Sequence, residues 1–141
     1  MKPIFFLLIS LALITTACSA VNQGGGELTV PSEWKLVSFD IAGAETPVVA
    51  ESTVTLEFAA DGQAGGSGGC NSYGATYELQ GDTLKITEVI STLMACADEQ
   101  INQQETQFFN ALQGATRLVV SGDSLTIFYE DGQNKLNFAR Q

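Results

Sequence analysis

The chain is 141 residues with 16 Asp plus Glu against 6 Lys plus Arg, no histidine, 3 cysteines and 45% hydrophobic residues, which is enough for one domain. A formal charge of -10 with so few basic groups excludes the phosphate-neutralising patch of a nucleic-acid binder and repels anionic lipid headgroups. The missing imidazole excludes Ser-His-Asp and Cys-His nucleophile pairs and His-ligated metals.

The first element is an export signal. After Met1 and Lys2, the run from Ile4 to Ile14 is apolar apart from Ser10 and leads into Thr15-Thr16-Ala17-Cys18. Such a run rises about 16 Å as a helix, roughly half the hydrocarbon core, which is short for a transmembrane span. The competing reading, a buried core helix, fails because that helix would carry a polar face. Ala17-Cys18 resembles the lipobox of bacterial lipoproteins, although Thr15 stands where leucine is usual; plain secretion is the alternative. The resemblance implies removal of residues 1–17 and lipidation of Cys18, and more than one acyl chain gives durable anchoring. Ser19, where the inner-membrane retention signal resembles Asp, implies the outer membrane if the organism has one. Residues 18–31, with Gly24-Gly25-Gly26, read as a flexible tether, and residues 32–141 as the domain.

From Ser32 the chain alternates apolar and polar residues between Asp61-Gly62, Gly81-Asp82, Gly122-Asp123 and Asp131-Gly132, the turn chemistry of β-hairpins. The alternation predicts an inner face of Trp34 and Leu36; Val54, Leu56 and Phe58; Tyr77 and Leu79; Leu84 and Ile86; Leu118 and Val120; Leu125 and Ile127; Leu136 and Phe138. The Gly-rich segment Gln63–Gly69 reads as a loop or irregular strand, where close backbone approach by a partner is available. One segment breaks the period of two. After Asp98, residues Ile101, Phe108, Phe109 and Leu112 recur at helical spacing, and Gly114 stands where a left-handed C-terminal cap would. The expected fold is α+β: a curved antiparallel meander, a partial barrel, packed against this single helix.

Gly69-Cys70-Asn71-Ser72-Tyr73 and Thr92-Leu93-Met94-Ala95-Cys96, with an opening Trp34-Lys35-Leu36, then Glu105 and a closing Leu136-Asn137-Phe138, resemble the META domain of the HslJ family. The motif residues are Trp34, Gly69, Cys70, Asn71, Tyr73, Thr92, Met94 and Cys96. The resemblance implies a compact domain and envelope lipoproteins described as heat-shock proteins and linked to novobiocin resistance. It implies no catalytic residue and no cofactor. With Cys18 lipidated, Cys70 and Cys96 remain as the only thiol pair. A disulfide closing a loop of about 27 residues would add roughly 3.5 kcal/mol, against the alternative of two separately buried thiols.

Other matches carry little. Gly65-Gly66-Ser67-Gly68-Gly69 spells the nucleophile elbow and Ser32-Glu33-Trp34-Lys35 spells S-x-x-K, but neither has its structural context or a histidine base. The acidic pairs Asp98-Glu99 and Glu130-Asp131, and Asp61, lack a calcium-loop spacing. The sequence therefore predicts a non-catalytic envelope lipoprotein, with a membrane through its lipid and an envelope protein or ligand as partners. The alternative is an exported inhibitor of a protease or a basic enzyme such as lysozyme; an enzyme would need paired carboxylates in a pocket, or an activated Ser67 or Cys70.

Overall fold

The computed structural model describes residues 25–141; the export signal, Cys18 and the first part of the expected tether lie outside the described residues. The strands are β1 (Ser32–Ile41), β2 (Ala44–Pro47), β3 (Thr55–Phe58), β4 (Gln63–Ser67), β5 (Ser72–Gln80) and β6 (Thr83–Ser91). Helix α1 (Glu99–Gln113) follows, then β7 (Ala115–Ser121), β8 (Ser124–Tyr129) and β9 (Asn134–Arg140). All four Asp-Gly and Gly-Asp pairs link neighbouring antiparallel strands, as their turn chemistry predicts.

The barrel is closed rather than partial. Trp34 of β1 faces Leu56 of β3 on one side and Arg140 of β9 on the other, so the first strand seals the last. β1 and β3 to β9 thus form an eight-stranded antiparallel ring, a size whose interior side chains can fill. Hairpin alternation identifies the buried face of each strand, but nothing in it marks two strands a hundred residues apart as neighbours. A register shift between Leu36 and Ser38 bends β1 into the closure. β2 stands outside the ring and pairs with the far half of β1, from Ser38↔Pro47 to Ile41↔Ala44.

The predicted inner residues are buried, with Tyr77 and Leu79 only half-buried. Phe39, Tyr73 and Ala75 join them. The connections at residues 59–62, 81–82 and 122–123 lie at one end of the barrel. Those at 42–54, 68–71, 92–114 and 130–133 lie at the other. α1 belongs to this second end. β6 and β7 share a single ladder pair, Thr83↔Arg117, and beyond it they diverge to make room for the connection that carries the helix.

The Asp98 side chain caps α1 by accepting from the Gln100 N–H at 2.7 Å, and Glu99 places further negative charge in the first turn. Phe108 is fully buried, with its ring 5.6 Å from Tyr73 and 6.5 Å from Phe138. The helix end departs from expectation: Gly114 has φ -88°, outside the left-handed region. β7 begins at the next residue, so the chain continues into the sheet without the reversal that such a cap provides.

Residues 25–31 also pack. The Gly26 N–H donates to the Val120 carbonyl at 2.7 Å and Leu28 is buried, so the described chain starts against the barrel at the end opposite α1. The Gly-rich segment is strand β4, paired to β3 through Glu57↔Gly65 and to β5 through Gly65↔Gly74. The backbone of residues 63–67 is thereby committed to the sheet, while Gly68 and Gly69 continue into the turn before β5. Among the described residues, no helix is long and apolar enough to cross a membrane.

Candidate functional site

The motif residues other than Trp34 meet at the helix end of the barrel, around one carboxylate. Glu105 lies on the inner face of α1 and is buried. Its Oε1 accepts from the backbone N–H of Asn71 at 2.6 Å and of Cys70 at 3.2 Å. Its Oε2 accepts from the Asn71 side-chain amide at 2.7 Å. Three N–H groups thus replace the water that burial removes, the condition for a carboxylate to persist inside a fold.

Asn71, also buried, turns its other atoms to the segment after β6. Its Oδ1 accepts from the Thr92 hydroxyl at 2.8 Å and from the Met94 N–H at 2.7 Å, while its amide also donates to the Met94 carbonyl at 3.2 Å. Cys70 and Cys96 are disulfide-bonded, with Cα atoms 6.0 Å apart and a sequence separation of 26. The β4–β5 turn, the 92–98 loop and α1 are therefore joined by one covalent and several polar links. Gly68 and Gly69 permit the approach: a Cβ on Gly68 would lie 2.6 Å from Glu105 Oε1, and one on Gly69 2.6 Å from Ser52 Oγ.

A second clasp joins α1 to the β2–β3 connection. Gln104 donates to Ser52 Oγ at 3.0 Å and accepts from the Val49 N–H at 2.6 Å. Tyr73 donates its hydroxyl to the Thr55 carbonyl at 2.9 Å, and burial pushes its phenol well above the usual tyrosine range. Trp34 stands apart from this cluster, in the barrel wall, its indole N–H donating to Ser32 Oγ at 3.0 Å and its ring 4.3 Å from the Arg140 guanidinium. Of the residues in the two clasps, Glu105 was visible as part of the family order; Gln104, Ser52 and Thr55 carry no signal in a single sequence.

The arrangement holds shape. Cys70, Cys96 and Glu105 bring three potential metal-ligating atoms within 4.8 Å, but the two sulfurs are bonded to each other and the carboxylate is occupied by N–H donors. Ser67 Oγ accepts from the Gly69 N–H at 3.2 Å at the end of an antiparallel strand, a context unlike the strand-turn-helix of a nucleophile elbow. Ser32 is buried and engaged by Trp34. Cys70 has no free thiol.

The clasped loop nevertheless presents apolar side chains to water. Leu93 is 96% exposed and Met94 62%, beside a shallow groove that Phe109 and Thr106 of α1 also line. The connections at this end carry Glu45, Glu51, Asp98, Glu99, Glu130 and Asp131 at the surface, and no Lys or Arg. The nearby cation Lys135 is spent on Asp40 at 2.8 Å, which holds the Asp40 carboxyl below its usual value.

A family model described as the META domain matches residues 27–141. No curated protein matches the chain. An NMR structure of a protein from Burkholderia xenovorans superposes with a TM-score of 0.68 at 26% identity, over 79% of this chain and 82% of that one. A second NMR structure gives 0.59 at 20% identity, over 77% and 88% of the two chains. A crystal structure of a DUF4847-family protein from Bacteroides vulgatus gives 0.57 at 17% identity, over 77% and 92%. The last two speak to the fold alone. With all the described residues but the first two inside the family match, and the motif residues other than Trp34 assembled as one cluster, the chain belongs to the META domain family.

Proposed function

We propose that the protein is a non-catalytic envelope lipoprotein, held at a membrane through lipidated Cys18 and acting in stress tolerance by binding a partner at the helix end of its barrel. The observation that carries this reading is the outward Leu93-Met94 pair on a loop whose backbone is fixed. Both the N–H and the carbonyl of Met94 bond to Asn71, so the backbone that presents these side chains is held in place before any partner arrives, which lowers the entropic cost of binding. The described chain enters at the other end, so an anchor there turns Leu93 and Met94 away from the bilayer.

The test has two arms. Cys18→Ala should lose incorporation of labelled palmitate and leave the membrane fraction. Leu93→Ser with Met94→Ser should leave thermal stability unchanged, yet abolish complementation of a deletion strain challenged by heat or novobiocin. Membrane retention by Cys18→Ala sinks the anchor, and full complementation by the double variant sinks the binding surface.

A second reading, an exported inhibitor of a basic enzyme, draws on the six surface carboxylates at the helix end and the absence of Lys or Arg in those connections. Complementary charge speeds association most at low ionic strength. Binding to lysozyme at low salt that fades as salt rises supports it, and no binding at low salt removes it.

A further inference from the structure

Along α1, adjoining the groove beside Leu93 and Met94, runs a second, larger groove of about 670 Å³. Its helix wall is a stripe of Glu99, Asn102, Gln103, Thr106, Gln107, Asn110 and Ala111, with the Asn102 amide already bonded to the Cys96 backbone, and its other wall is Ile41, Tyr129, Glu130 and Asn134. The spacing of three and four residues places the stripe on one face of the helix over about 16 Å. Surface helices ordinarily carry charges of both signs, but α1 has no Lys or Arg and is rich in Asn and Gln.

We propose that this groove binds a neutral, polyhydroxylated ligand, an oligosaccharide. Each primary amide offers two donors and an acceptor, the combination that matches adjacent sugar hydroxyls or an N-acetyl group. The Tyr129 side chain is buried, with Gln107 beside its hydroxyl. Asn134 takes the Ala42 N–H at 3.0 Å and donates to Glu130, which fixes that wall in place. Ile41, 43% exposed, supplies an apolar contact for the C–H face of a sugar ring. Glu99 and Glu130, with no cation lining the groove, disfavour phosphate, carboxylate and sulfate ligands. The length of the stripe fits a chain of sugars better than one ring. This site depends neither on the lipid anchor nor on Leu93 and Met94.

The experiment uses the full-length protein in detergent micelles, 15N-labelled, titrated separately with an N-acetylglucosamine tetramer and a glucose tetramer. Saturable shifts are expected in the side-chain amides of Gln103, Gln107 and Asn110 and in the backbone of residues 129–134. Stronger binding of the N-acetylated tetramer would assign the amide stripe to N-acetyl groups, as in a cell-wall glycan; preference for the glucose tetramer would assign it to hydroxyls alone. Gln103→Ala with Asn110→Ala, both exposed positions, should weaken binding at least tenfold with the melting temperature unchanged, and Tyr129→Phe should weaken it severalfold. No saturable shift with either tetramer, or equal affinity in the Gln103/Asn110 variant, overturns the proposal.

Discussion

Asn71 and Glu105, 34 residues apart, are locked to each other twice, by the backbone and the side-chain N–H of Asn71 at 2.6 and 2.7 Å. Because both are buried, the pair behaves as a structural bond between the barrel rim and the helix. Replacing Glu105 by Ala strands three donors, and the expected loss is about 2–4 kcal/mol. Asn71→Ala should cost a similar amount, and the double variant less than the sum. Urea denaturation of the four proteins measures the coupling, and additive losses would contradict it.

The Cys70–Cys96 bond spans 26 residues and closes the same junction. Chain-entropy reasoning puts its contribution at about 3.5 kcal/mol. Cys70→Ser with Cys96→Ser should therefore lower the urea midpoint strongly in oxidising buffer, while a reductant should have little further effect on the variant. The strand pairing at the opposite end should survive in native-state hydrogen exchange.

Two glycines near each other should respond differently. A Cβ on Gly68 meets Glu105 Oε1 and the Phe109 ring, both at 2.6 Å, whereas one on Gly74 meets nothing within 4 Å. Gly68→Ala is expected to cost about 1–3 kcal/mol through displacement of the clasp. Gly74→Ala should be neutral within about 0.5 kcal/mol. Thermal melts of the two variants decide it.

Burial raises the phenol of Tyr73 above the ordinary tyrosine value of 10.0, so in alkali the folded state keeps a proton that the unfolded chain releases. A raised value means stability that is intact below pH 10.0 and is lost as pH climbs beyond it. The slope from this residue is at most about 1.4 kcal/mol per pH unit. Tyr73→Phe should be less stable at neutral pH by about 1 kcal/mol, from the lost bond to Thr55. It should then fall less steeply than the unaltered protein in alkali, a contrast readable from urea midpoints across that pH range.

Much of this architecture was readable from residue order, and the reasons differ by element. Asp61-Gly62 and the three related pairs mark their turns because few residues tolerate that backbone, and alternation marks the buried face because its period matches the pleat. Leu79–Ile86 and Val120–Ile127, alike in sequence, are the β5–β6 and β7–β8 hairpins. The disulfide follows from Cys70 and Cys96 being the thiol pair left beside Cys18, and the clustering of Asn71, Thr92 and Met94 follows the family resemblance. Closure through Trp34 and Arg140 was not readable, since it depends on register between the two ends of the chain. β2 escaped notice because its turn, Ala42 at φ 51° and Gly43 at φ 86°, lacks the Asp-Gly signature. Asp40 supplies that chemistry from the preceding strand, accepting from the Gly43 N–H at 2.9 Å. The amide stripe of α1 escaped as well, because Gln and Asn at helical spacing read as solvated surface until a facing wall is known.

The seam between β1 and β9 has a consequence for how the molecule comes into being. A polypeptide delivered vectorially, amino end first, holds β1 with one edge bare until residues 134–140 have emerged, and an unpaired edge invites pairing with other chains. Until then Trp34 lacks its Arg140 neighbour and the ring stays open. Ring closure thus waits for β9, and a chain truncated before that strand would hold an incomplete cylinder prone to self-association.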